Sequence, residues 1–168
     1  GATARWLKQK LGMTVIGVPR AGKPFRWADK VVKASRIETV LPKANTVVVM
    51  APLTNETENL LSRRRLGMLK PDATLLNMGR ARIVDYDALA DLLDNGQLGG
   101  ALLDVFEPEP LPRSSRLWTT PNLILSPHCS SDDVDNYIPK TLDWFFANLE
   151  RFLAGRRPTN RVDTRLQY

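Results

Sequence analysis

The sequence predicts an α/β fold, a parallel sheet with helices on both faces. Two observations carry this. Short apolar runs rich in β-branched residues alternate with single stretches of helical spacing along most of the chain. The runs are also nearly continuous in their apolar character, as strands covered on both faces are. A chain of 168 residues suits one ordinary domain with a real core. No internal repeat or low-complexity segment interrupts it.

The elements follow in order. Ala2 to Leu11 is helical in composition, with Leu7 and Leu11 on one face, and Gly12 follows as a stop. Thr14 to Val18 reads as a buried strand, broken by Pro19 to Gly22. Ile37 to Lys43 is a brief helical stretch, and Thr46 to Met50 is the clearest strand. Leu60 to Leu69 is expected as helix, Ala73 to Met78 as strand, and Tyr86 to Leu93 as helix with Asn95-Gly96 as its stop. Gly100 to Phe106 and Leu123 to Ser126 supply the last two strands. Between them lie Pro108, Pro110, Pro112 and Pro121. Each fixes a backbone angle, so that connection is expected to be stiff. A final helix is expected from Val134 to Leu153, where Ile138, Leu142, Phe145, Phe146, Leu149, Phe152 and Leu153 recur at helical spacing. Pro139 predicts a kink or a fresh start inside it, and Gly155 ends it.

Composition narrows the function classes. With 43% hydrophobic and 25% charged residues, the chain reads as a globular protein of ordinary solubility. No apolar run has bilayer-spanning length, and Gly1 to Lys10 has no signal-peptide character. Cys129 is the sole cysteine, so no intrachain disulfide forms and a cytoplasmic setting is expected. It is expected to be a small packed residue. With one Cys and one His, a thiolate and imidazole metal site is not expected. The net charge of +6 is unevenly spread. Residues 1–43 hold ten Lys or Arg against Asp29 and Glu38, while the remainder holds fourteen against sixteen acids. A nucleic-acid patch, a pocket for a phosphorylated cofactor and a plain solvated face are all compatible with that excess. No nucleic-acid-binding motif accompanies it, so no nucleic-acid partner is expected.

Several segments together resemble the D-2-hydroxyacid dehydrogenase family. They are Asn77-Met78-Gly79-Arg80 with Ile83-Val84-Asp85, then Ala101 to Leu111, then Leu125-Ser126-Pro127-His128. Pro52-Leu53-Thr54, Thr57 and Met68-Leu69-Lys70 match the run between cofactor strands. The resemblance covers nearly the whole chain and rests on the order and spacing of its pieces. It implies a Rossmann-like sheet lacking its first strand, with Gly1 as the third glycine of a dinucleotide fingerprint. Residues 1–150 would then be a partial cofactor domain, and 151–168 a tail returning to a substrate domain outside this chain. Such a piece is expected to be poorly stable and inactive alone, and the complete protein a homodimer.

The implied reaction is reversible hydride transfer between a nicotinamide and a small 2-oxo acid. It needs a proton donor at the carbonyl oxygen and a cation for the carboxylate. His128 is the only imidazole, the side chain that exchanges protons near neutral pH. Glu109 beside it would favour the imidazolium. Arg80 would hold the substrate carboxylate, a bidentate task that suits a planar guanidinium. Glu107 and Arg82 are the nearby rivals of Glu109 and Arg80. The family has glycine after its arginine, where this chain has Ala81, which would alter the loop if that position needs a positive φ. The resemblance assigns cofactor contacts to Gly1, Ala51, Pro52, Met78, Gly79, Arg80, Asp104, His128 and Ser131. After Val18-Pro19 stands Arg20, where NAD-selective sheets place an acid, and Lys23 and Arg26 lie nearby. NADP is therefore the expected cofactor, with NAD the alternative. A cofactor-binding interaction or regulatory protein on the same fold, without turnover, is the competing function.

Overall fold

The computed structural model describes residues 1–19, 22–130 and 132–165. Four strands form one parallel sheet in sequence order: β3 (Thr46–Val49), β4 (Thr74–Asn77), β5 (Gly100–Leu103) and β6 (Leu123–Leu125). A separate parallel pair joins β1 (Ile16–Gly17) to β2 (Lys30–Val31). All four strands of the larger sheet point the same way, so their C-terminal ends share one edge. The segments after Val49, Asn77, Leu103 and Leu125 all start from it.

Register explains the burial. Leu75, Ala101 and Leu103 point to one face and join Ala88, Leu89 and Leu93 in a single core cluster. The aligned row Val48, Leu76, Leu102 and Ile124 is less covered, and Ile124 is exposed. Helix α3 (Tyr86–Asp94) buries Ala88, Leu89, Ala90 and Leu93. Its start is fixed by Asp85, whose carboxylate accepts from the Ala88 N–H at 2.9 Å, a cap worth about 1 kcal/mol.

Helix α1 (Ala2–Leu11) ends as expected, with Gly12 at a φ of 63° and its N–H on the Leu7 carbonyl. Helix α2 (Arg63–Leu66) is much shorter than the expected Leu60 to Leu69. The reason is a competing bridge: Leu61 N–H donates to Ile83 O at 2.9 Å and Leu61 O accepts from Asp85 N–H at 3.1 Å. That pairing keeps Leu61 extended. Ile37 to Lys43 forms two 3₁₀ segments, Ala34–Thr39 and Leu41–Lys43, the second with Pro42 in its first turn. The strand expected from Gly100 to Phe106 stops at Leu103, although the Asp104 N–H still donates to the Asn77 carbonyl at 3.1 Å. Helix α4 (Tyr137–Leu153) makes the fresh start that Pro139 predicts, with that proline in the first turn where its missing N–H costs nothing. Neither α1 nor α4 buries a residue, and Phe145, Phe146, Phe152 and Leu153 are exposed.

Candidate active site

The residues after β4 form a tight arch. Gly79 passes so close to Ala51 that a Cβ there would lie 2.7 Å from the Ala51 carbonyl oxygen. Only glycine lets the ends of β3 and β4 meet in this way. Asn77 closes the arch from below and is fully buried. Its Oδ1 accepts from the Gly79 N–H at 3.1 Å, and its Nδ2 donates to the Arg80 carbonyl at 3.0 Å. Arg80 is exposed, and its guanidinium donates to the Gly79 carbonyl at 2.7 Å. Ala81 is buried in a 3₁₀ turn and is not among the described residues with positive φ. Alanine therefore fits this loop without strain.

The residues after β5 and β6 meet in a second cluster. Glu109 Oε1 accepts from the Phe106 N–H at 2.8 Å, and Glu109 Oε2 lies 2.9 Å from His128 Nδ1. The His128 hydrogen bond, then the Phe106 N–H, and more weakly the Arg80 charge hold Glu109 below the usual carboxylate range. His128 has a φ of 59°, a left-handed conformation that histidine adopts more readily than most residues. Its loop is anchored by Asp104, which is 2% exposed. Asp104 accepts from the N–H groups of Cys129 at 3.1 Å and Ser130 at 3.3 Å, and from the Ser130 hydroxyl. Burial alone would push Asp104 up, but the hydrogen bonds from Ser130, Ser126 and the Cys129 N–H together bring it below its ordinary value.

The rivals sit elsewhere. Arg82 pairs with Glu58, and its Nε lies 3.8 Å from Glu107. Those two acids and Arg82 form a surface network apart from His128. Cys129 is exposed, which corrects the expectation of a packed residue.

The expected cofactor residues divide. Met78 N–H extends the β3–β4 pairing to Val49 O at 3.0 Å, placing Met78 beside Ala51 at the shared edge. Pro52 follows there, and its carbonyl accepts from the Thr57 hydroxyl at 2.7 Å. Gly1 opens α1, and Thr3 bonds the Met50 sulfur at 3.2 Å, so the positive start of this helix lies by the end of β3. No acid stands in its first turn to compete for an anion. Arg20 and Ser131 lie outside the described residues. Lys23 is exposed, and the Arg26 guanidinium stacks 4.7 Å from the Trp27 ring centre. Asp29 pairs with Lys8 and accepts from the Val15 N–H at 2.8 Å, before β1 begins. Glu38 pairs with Arg64 and Arg65. Neither acid of the first quarter is therefore placed after β1, where a ribose hydroxyl would bind.

Sequence reasoning missed Asn77, Tyr86, Ser126 and Ser130 as parts of this site. The available signal was a polar residue, Asn77, closing an apolar strand, and a tyrosine directly after a helix cap. Among the described residues, no three His, Cys, Asp or Glu side chains gather as metal ligands. No described helix is long and apolar enough to cross a membrane.

Comparison with known proteins shows the family and the fold. Residues 1–130 match the family described as D-isomer specific 2-hydroxyacid dehydrogenase, NAD binding domain. A (S)-sulfolactate dehydrogenase of Chromohalobacter salexigens is 41% identical over 165 residues, covering 94% of this chain and 52% of its own length. A glyoxylate/hydroxypyruvate reductase B of Pectobacterium carotovorum is 43% identical over 95 residues, covering 56% of this chain and 30% of its own. The chain thus spans about half or less of these curated relatives. A D-isomer specific 2-hydroxyacid dehydrogenase from Xanthobacter autotrophicus, solved with NADPH and MES, superimposes with a TM-score of 0.88 at 35% identity, covering 100% of this chain and 68% of that one.

Proposed function

The chain belongs to the D-isomer specific 2-hydroxyacid dehydrogenase family, carrying its NAD-binding domain, and from that premise we propose that it serves the reduction of a small 2-oxo acid to a 2-hydroxy acid. The observation that supports this most is the His128–Glu109 pair, 2.9 Å apart at the strand-end edge, with the Arg80 charge acting on the same carboxylate. When bound, the dihydronicotinamide supplies the hydride. His128, in its imidazolium form, gives its proton to the carbonyl oxygen that becomes the hydroxyl. Glu109 orients the ring and balances its charge. Arg80 leaves the Gly79 carbonyl to bind the substrate carboxylate, which fixes the reacting carbon.

The residues toward the cofactor fit its parts. The first turn of α1, which Gly1 opens without a side-chain cap, suits a diphosphate. Ala51, Pro52, Met78 and Gly79 form a close-packed floor at the edge, and Asp104 and Ser131 serve the nicotinamide end together with His128. NADP is preferred over NAD, with Arg20 and Lys23 for the 2′-phosphate, and the relative solved with NADPH supports this. Residues 1–150 are the cofactor-holding part of the chain, and 151–168 are its C-terminal tail. The reading includes a cytoplasmic homodimer. The exposed apolar side of α4 supports association, and a lone cysteine suits a reducing compartment.

The test is NADPH oxidation with glyoxylate or hydroxypyruvate by the complete protein, with His128→Ala and Arg80→Gln made in it. Loss of the acid is expected to cost roughly 10²–10⁴-fold in turnover. Arg80→Gln is expected to raise KM for the keto acid. Undiminished turnover in His128→Ala would overturn the assignment.

A further inference from the structure

Tyr86 is the first residue of α3, seated directly on the Asp85 cap. Its hydroxyl donates to the Val105 carbonyl at 2.7 Å and accepts from Asn77 Nδ2 at 2.9 Å. The same Nδ2 donates to the Arg80 carbonyl at 3.0 Å. One phenol oxygen thus stands between the Arg80 arch and the chain leaving β5.

The Val105 carbonyl and the Phe106 N–H belong to one rigid peptide plane and point in opposite directions. Tyr86 grips the carbonyl, and Glu109 accepts from the N–H at 2.8 Å. Turning that plane would break both bonds together. A hydrogen bond on the carbonyl also polarises the amide and strengthens its N–H as a donor. Val105 and Asn77 are both buried, so neither end of the strut is loose. The Tyr86 ring meets Phe106 edge-on, with centroids 6.5 Å apart.

We propose that Tyr86 is a positioning residue for Glu109: its hydroxyl fixes the Val105–Phe106 peptide, which aims the Glu109 carboxylate at His128, and through Asn77 it sets the Arg80 arch in the same frame. This rests on the roles given above to Glu109 and His128. Burial, first of all, pushes the Tyr86 phenol up, so it stays protonated as a donor throughout the working range.

The alternative is a ring that merely fills space beside Phe106. Titration of the Glu109 carboxyl carbon by NMR separates the two, with Glu109→Gln assigning the signal and His128 and Arg80 left intact. Tyr86→Phe keeps the ring and removes the hydroxyl. The Glu109 midpoint is expected to move up, because the Phe106 N–H no longer holds the carboxylate. An unmoved midpoint in folded Tyr86→Phe protein overturns the proposal. If that variant does not fold, a fluorinated tyrosine placed at 86 keeps the shape and makes a stronger donor. Its expected effect is a further fall of the midpoint, and no change again overturns the proposal. The readout needs no turnover. An inactive complete protein whose Glu109 midpoint responds would sink the proposed reaction and leave the strut standing, whereas an active one whose midpoint ignores Tyr86 would do the reverse.

Discussion

Asn77 and Asp104 invite direct comparison. Asn77 ends β4 and Asp104 follows β5, the Asp104 N–H bonds the Asn77 carbonyl at 3.1 Å, and both side chains are buried. Each ties down one loop of the candidate site. Asn77 holds Gly79, Arg80 and Tyr86 as a neutral amide that both donates and accepts. Asp104 holds Cys129 and Ser130 as an acceptor carrying charge. The difference has a physical consequence. The Arg80 arch rests on bonds indifferent to pH, and the His128 loop rests on an ion that must stay ionised.

The largest effect is expected from Asp104→Ala. It strands the N–H groups of Cys129 and Ser130 and removes charge-assisted bonds, at a cost on the order of 3 kcal/mol. Urea unfolding measures it, and a loss under about 1 kcal/mol would mean that the carboxylate is not the anchor of this loop. Asn77→Ala comes next. It leaves the Gly79 N–H and the Arg80 carbonyl without their partner and opens a small void, for about 2 kcal/mol. A cost for Asn77→Ala equal to or above that for Asp104→Ala would break the ranking of ionic over neutral brace.

The reach of the sequence differs between the same two loops. Strand ends were legible because apolar runs mark parallel strands and parallel strands deliver their ends to one edge; Arg80, Glu109 and His128 are named from the resemblance, and of these the fold brings Glu109 and His128 together. The last helix is expected from Val134 with a kink or fresh start at Pro139, and α4 begins at Tyr137 with that proline in its first turn. What stayed hidden depends on contacts distant in sequence. Leu61 lies in a helix-like run, but its pairing with Val84 keeps it extended, and no local pattern announces a partner so far along the chain. β2 is two residues in a basic stretch, too short to show periodicity. Tyr86 reads as an ordinary helix residue until Val105 and Asn77 are placed beside its hydroxyl. Cys129 looked like packing material because residue type alone says nothing of exposure in the loop after β6.

The smallest effect is also the sharpest test of the comparison, because it concerns slope and not size. Asp104 has a folded pKa below its ordinary value, so the unfolded chain takes up its proton first as pH falls. Its contribution is complete above the unfolded carboxylate range and drains away as pH falls through that range toward the lower folded value. Glu109, also lowered, adds in the same direction, and more weakly because it is partly exposed. The stability gap between the protein and Asp104→Asn should therefore narrow as pH falls from neutral through the carboxylate range. The gap to Asn77→Ala should stay flat over the same interval. Parallel curves for the two variants in denaturant titrations at several pH values would show that Asp104 acts by shape alone, and the distinction between the two braces would go with it.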